Sequence, residues 1–231
     1  VFTVRLACLL KQPSPARATA CILSFLLSAV FVVLLVSGFN NAFSAYLQTA
    51  KWKKLLSEGA PAGSFRTAHA EYLYGTYRGQ WVAIREGSVC EALPDRASAG
   101  QIAAIGLCQN PTAESVLVLG SGLGLCSQFL QLPQVKSVTW ASTAPEYARK
   151  IDAFIPAEMK IGDSRFDRLS GDLRKMLAEN LQSYDIVVVN LPDATSSVLN
   201  RHYTIEFYDQ IKRSLKSGGV LAVRVTAGEN I

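Results

Sequence analysis

Apolar and polar positions follow two different regimes along this chain. Between Arg17 and Lys51 no charged side chain occurs, and Ala18–Phe39 (ATACILSFLLSAVFVVLLVSGF) is predominantly apolar. A helix of that length, at 1.5 Å per residue, spans roughly 33 Å, enough for a hydrocarbon core of about 30 Å. The pattern predicts one transmembrane helix, with Phe43 and Tyr46 near the interface and Lys51-Trp52-Lys53-Lys54 anchoring the far end. The competing reading is a cleaved signal segment, with Arg5, Lys11 and Arg17 before the apolar run and Ala42-Phe43-Ser44 as the small-residue site. Three basic residues flank each side of the run, so charge does not fix an orientation.

Past a polar connector with Gly59, Pro61 and Gly63 the period changes. Gln80–Arg85 reads as a short strand and Ala97–Cys108 as a helix. Ser115–Leu119 (SVLVL) is a continuous apolar run closed by glycines, the pattern of a strand buried on both faces. Strands at Val135–Trp140, Phe166–Leu169, Asp185–Val189 and Gly219–Val225 then alternate with helices at Leu125–Leu130, Pro145–Phe154, Leu173–Leu181 and Thr204–Leu215. Such alternation predicts an α/β fold with a mostly parallel, Rossmann-like sheet, here stopping after its fifth main strand.

Composition sharpens this picture. The chain is 49% hydrophobic and only 18% charged, against roughly 25% charged in ordinary soluble chains. Its net charge of +5 lies in the first 59 residues, which hold six Lys/Arg and one acid; the remainder carries 17 of each sign. A nucleic-acid surface needs clustered basic residues on the folded body, so nucleic acid is not an expected partner. Five cysteines without C-x-x-C spacing and two histidines, His69 and His202, provide neither a disulfide framework nor a metal cluster. The simplest reading is a reduced body facing the cytosol, attached to a membrane.

In parallel sheets of this kind, ligands bind beyond the carboxyl ends of the strands. Gly120-Ser121-Gly122-Leu123-Gly124 stands there after the first buried strand, where glycines permit a tight turn and close approach to a nucleotide. A simple tight turn is the alternative, and Leu125 and Cys126 break the full dinucleotide spacing. The second strand ends in Ser142 rather than in a carboxylate that would grip ribose hydroxyls. Asp172 follows the third strand, as a helix cap or as an acceptor for an adenine amino group. Asn190 and Asp193 follow the fourth. Only Asp193 can take a proton, and an Asp beside Pro192 also suits a turn.

These segments, VLVLGSGLG, VKSVTW…PE, DSRFDRLSGDLRKML, YDIVVVNLPD and YTIEFYDQIKRSLKSGGVLAV, resemble the polyamine aminopropyltransferases. More narrowly they resemble the spermidine synthase-like domains fused to transmembrane segments, over Tyr74 to Val225. The resemblance implies decarboxylated S-adenosylmethionine as co-substrate, no tightly bound cofactor, a polyamine acceptor, membrane lipid as a partner, and room for a homodimer. Carried over by position, Gly120, Gly122 and Gly124 line the donor, Asp172 faces its adenine, and Asp193 joins the acceptor-side carboxylates, with Asn190 at the catalytic position. The family's pattern is altered at Leu123, Ser142, Ala144 and Asn190, each standing where an acid is usual, and the Tyr-His-Glu cluster has no counterpart in Ser98–Cys108. A dicationic amine needs carboxylates to replace its hydration. Two functions therefore stand: an aminopropyltransferase using Asp193 and Asp172, or a non-catalytic module that keeps the fold. A methyltransferase on the same topology ranks behind both. The expected organisation is a segment at 1–17, a transmembrane helix with its interface at 18–48, a linker at 49–73, a small β unit at 74–97 and the spermidine synthase-like domain at 98–231, incomplete at its carboxyl end.

Overall fold

The computed structural model describes residues 15–36, 39–68, 70–142, 144–191 and 200–224. The chain divides into two compact units, Val1–Ala50 and Lys51–Ile231. The first unit contains helix α1 (Pro15–Val36) and the start of α2 (Phe39–Leu55). On α1 the side chains of Ile22, Leu23, Phe25, Leu27 and Phe31 are exposed. The apolar run ends with this helix, because α2 carries Asn40, Asn41, Gln48 and three lysines. Among the described residues no helix is long and apolar enough to cross a membrane, so the expected transmembrane helix at 18–48 finds no support in the structure.

The second unit opens with an antiparallel sheet where a linker was expected. Strands β1 (Ala60–Arg66), β2 (Glu71–Tyr77), β3 (Gln80–Arg85) and β4 (Ser88–Leu93) lie in sequential order. Pro61 and Gly63 conceal β1 in the sequence, and the structure accommodates them at an irregularity in the β1–β2 register. One face of this sheet is closed by Trp52 at the end of α2, fully buried with Leu56, Leu73, Val82 and Ile84. The Trp52 indole N–H donates to the Glu58 carbonyl at 3.1 Å, so the ring is buried without an orphaned donor.

The other face packs on the α/β layer through stacked aromatics: Phe65 on Tyr72 and on Phe154, each with centroids 4.8 Å apart, and Tyr72 on Tyr147 at 4.6 Å. Two polar ties seal the same seam. Lys150 Nζ donates to the Arg66 carbonyl and the Ala68 N–H donates to Glu146, both at 2.7 Å.

The α/β layer is a five-stranded sheet, β5 (Ser115–Gly120), β6 (Ser137–Ser142), β7 (Phe166–Ser170), β8 (Tyr184–Asn190) and β9 (Leu215–Val223), in the order β7-β6-β5-β8-β9 and parallel throughout. β5 and β8 read as nearly unbroken apolar runs because both of their faces are covered. Val116 and Val118 of β5 and Ile186 and Val188 of β8 face the core beneath the aromatics, α3 (Ser98–Gln109) and α4 (Leu123–Leu130). Leu117, Leu119, Val187 and Val189 face α6 (Leu173–Glu179) and α7 (Ile205–Ser214). Helix α5 (Pro145–Lys150) is shorter than the sequence suggested and passes into a 3-10 turn. Strand β9 starts earlier than expected, with a register irregularity against β8 that takes up the Gly218-Gly219 pair. At the amino end of the sheet Asp185 accepts from the N–H groups of Glu114 and Ser115, the Ser115 hydroxyl and the Lys216 ammonium. These donors outweigh partial burial and hold its carboxyl down at about 2.

Candidate functional site

The strand order reverses between β5 and β8, which places the crevice of this sheet at Gly120 and Asn190, paired across the two strand ends. Gly120 has φ +97°, and a Cβ there would lie 2.3 Å from the Asn190 carbonyl oxygen. Only glycine meets both demands. The Trp140 indole N–H donates to the Gly120 carbonyl at 2.8 Å, the Ser121 N–H to the Asn190 carbonyl at 3.1 Å, and the Asn190 side-chain amide to the Ser121 carbonyl at 2.5 Å. Asn190 thus holds the two loops together, and the Arg224 guanidinium lies 3.5 Å from its amide oxygen.

The next two backbone donors meet a residue that the sequence reading passed over. Glu91, on β4, is 3% exposed. One of its carboxylate oxygens accepts the Gly122 N–H at 2.7 Å and the other the Leu123 N–H at 2.9 Å. Helix α4 starts at Leu123, two residues earlier than expected, so these donors belong to its amino end. Burial pushes the Glu91 carboxyl up to about 7, against the pull of the Gly122, Leu123 and Gly124 N–H groups, with Asp95 adding to the rise. Burial also drives the neighbouring Cys90 thiol up to about 12, which keeps it protonated. Gly124 is needed for packing: a Cβ there would lie 2.8 Å from the Ala92 carbonyl oxygen.

The sequence-predicted residues divide among three cavities. Gly122, Gly124 and Asn190 line one of about 280 Å³ with Glu91, Asp95 and Arg224. Gly120 and Ser142 line one of about 10 Å³ with Tyr72, Arg85 and Tyr147, room for about one water. Ser142 is engaged in a local turn, its hydroxyl oxygen accepting the Ala144 N–H at 3.2 Å. Asp172 lines a third cavity, of about 400 Å³, with Lys175 and Glu179. Its carboxylate caps α6 by accepting the Arg174 N–H at 2.8 Å and pairs with Arg201 at 3.0 Å, and these contacts hold its carboxyl below the usual range. Asp193 lies outside the described residues. Among the described residues no group of three or more His, Cys, Asp or Glu could hold a metal ion.

A parallel sheet with a glycine loop at its switch point and an antiparallel sheet against it defines a Rossmann-like α/β fold. The profile of the spermine/spermidine synthase domain matches residues 97–227, more than half of the chain. The chain belongs to the spermine/spermidine synthase domain family. It is 32% identical over 121 residues to a polyamine aminopropyltransferase of Oceanobacillus iheyensis, covering 50% of this chain and 24% of that protein. It is 35% identical over 114 residues to polyamine aminopropyltransferase 2 of Streptomyces coelicolor, covering 47% and 21%. The chain therefore spans about a quarter of the length of these relatives. Among solved structures, a spermidine synthase in complex with the transition-state analogue AdoDATO has a similar fold, with a TM-score of 0.59 and 17% identity over 71% of this chain and 57% of that one. The spermidine synthase from Thermotoga maritima gives a TM-score of 0.57 at 17% identity, over 71% and 56%.

A buried carboxyl with a raised pKa makes stability depend on pH. Glu91 in the unfolded chain ionises near 4.5 and in the folded chain near 7, so the folded state holds the extra proton between those values. Its contribution is full below pH 4.5 and is lost as pH rises through 7. Relative to Glu91→Gln, the wild-type denaturation midpoint is expected to fall between pH 4.5 and 7 and to level off above it. A pH-independent difference between the two proteins contradicts this assignment.

Proposed function

We propose that this chain is the nucleotide-fold part of a membrane-anchored aminopropyltransferase that moves an aminopropyl group from decarboxylated S-adenosylmethionine to a polyamine. The observation that carries the reading is the cavity of about 280 Å³ beside the glycine loop, where Glu91 and Asp95 converge with Asn190. Carboxylates of that kind replace the hydration of a cationic donor and a cationic amine. In this reading Asn190 orients the attacking amine and Asp193 takes its proton. The amine nitrogen bonds to the methylene carbon next to the sulfonium, the carbon–sulfur bond breaks, and its electron pair stays on sulfur as a neutral thioether leaves. The exposed apolar side chains of α1 support the lipid attachment.

One observation favours a second reading, a non-catalytic module. The space bounded by Gly120, Ser142 and Tyr147 has a volume of only about 10 Å³, too small for a ribose.

Turnover separates the two. With decarboxylated S-adenosylmethionine and putrescine, the full chain is expected to form the aminopropylated amine, and Asp193→Ala to lower the rate about 100-fold or more, the usual worth of a general base. The same preparation is expected to float with anionic lipid vesicles. Turnover no faster than that of Asp193→Ala, together with no saturable thermal shift by the donor, selects the second reading. Failure to float removes the membrane anchor.

A further inference from the structure

The first backbone N–H groups of a glycine loop and its helix are a ready receptor for an anion, and in many nucleotide-binding folds a phosphate occupies them. Here the receptor is filled from within the chain. Both oxygens of the Glu91 carboxylate are engaged, at 2.7 Å and 2.9 Å, by the Gly122 and Leu123 N–H groups. The carboxylate is delivered by a strand of the antiparallel sheet, held against α4 by the close approach of Gly124 to Ala92. A phosphate arriving at this loop has to displace a tethered carboxylate or sit beside it.

The surroundings add to that opposition. The same Glu91 lines the cavity of about 280 Å³ on the open side of the loop, and Asp95 lines it too. One oxygen of the Asp95 carboxylate accepts the Ser98 N–H at the start of α3, at 2.9 Å. The one cation among the described lining residues is Arg224, whose guanidinium faces the Asn190 amide oxygen. Two carboxyl groups and one guanidinium line the cavity, so it turns net negative as Glu91 ionises, with pH rising through about 7. Leu123 contributes a backbone donor to the same carboxylate and no charge of its own. The negative charge of this loop comes from the neighbouring sheet.

We propose that Glu91 is the specificity-determining residue of the glycine loop, its carboxylate excluding phosphate-bearing nucleotides and favouring adenosine-type ligands whose loop-facing group is cationic. This rests on the reading of the loop as the donor site, and it deepens that reading by assigning the charge class of the donor to a named side chain.

The test is calorimetric titration of the full chain, and of its Glu91→Ala and Glu91→Gln variants, with two probes: ADP and decarboxylated S-adenosylmethionine. Wild type is expected to bind the sulfonium and to show no measurable ADP binding. Glu91→Ala, which frees the amides, is expected to gain ADP affinity by tenfold or more and to lose sulfonium affinity by a similar factor. Should Glu91→Ala fail to fold, Glu91→Gln keeps the side-chain volume, removes the charge and is expected to shift both affinities in the same directions. If wild type binds neither probe while a variant gains ADP, the exclusion of phosphate by Glu91 stands, and the donor-site reading falls together with the preference for a cationic ligand. ADP bound by wild type as tightly as the sulfonium, or affinities unchanged in both variants, overturns the proposal.

Discussion

A carboxylate buried against two backbone N–H groups ties the two halves of the folded unit to one another. Hydrogen bonds to a charged acceptor contribute about 1.5–3 kcal/mol each, whereas a buried charge without partners costs more than either bond supplies. Glu91 satisfies both demands only if β4 lies directly over the start of α4. That places the antiparallel sheet, the aromatic seam of Phe65, Tyr72 and Tyr147, and the opening of the glycine loop in one fixed arrangement. The pair also explains how the amide donors of Gly122 and Leu123 are satisfied inside the protein.

The glycines take on distinct tasks around this interaction. Gly120 allows the strand end to turn against Asn190, while Gly124 lets α4 approach the antiparallel sheet. Asn190 is likewise drawn into holding the loops, through its bond to the Ser121 carbonyl. The crevice that a parallel sheet creates at its switch point is therefore divided, with an acidic cavity on the side of Glu91 and little free volume on the side of Ser142.

Much of the fold was legible in the chain, because its determinants are local. The apolar runs SVLVL and DIVVV are long, continuous and bounded by glycine or by polar residues, and they became the two central strands. Thr204 caps α7 much where the periodicity placed the helix. Strand β1 was hidden by Pro61 and Gly63, which read as a connector because their cost is absorbed only by pairing with β2. Glu91 left no local signature. Its neighbours Cys90 and Ala92 are unremarkable, and its role depends on amides 31 and 32 residues away. Residue type alone also placed Asp172 and Ser142 in one site; the structure engages each of them locally, in separate cavities.

Amide hydrogen exchange at Gly122 and Leu123 tests the central interaction most directly. In the ligand-free full chain both amides are predicted to be strongly protected, and Glu91→Ala is predicted to release them by tenfold or more while the amides of β5 and β8 keep their protection. Rapid exchange of both amides in the wild type, or protection unchanged by the substitution, contradicts the account.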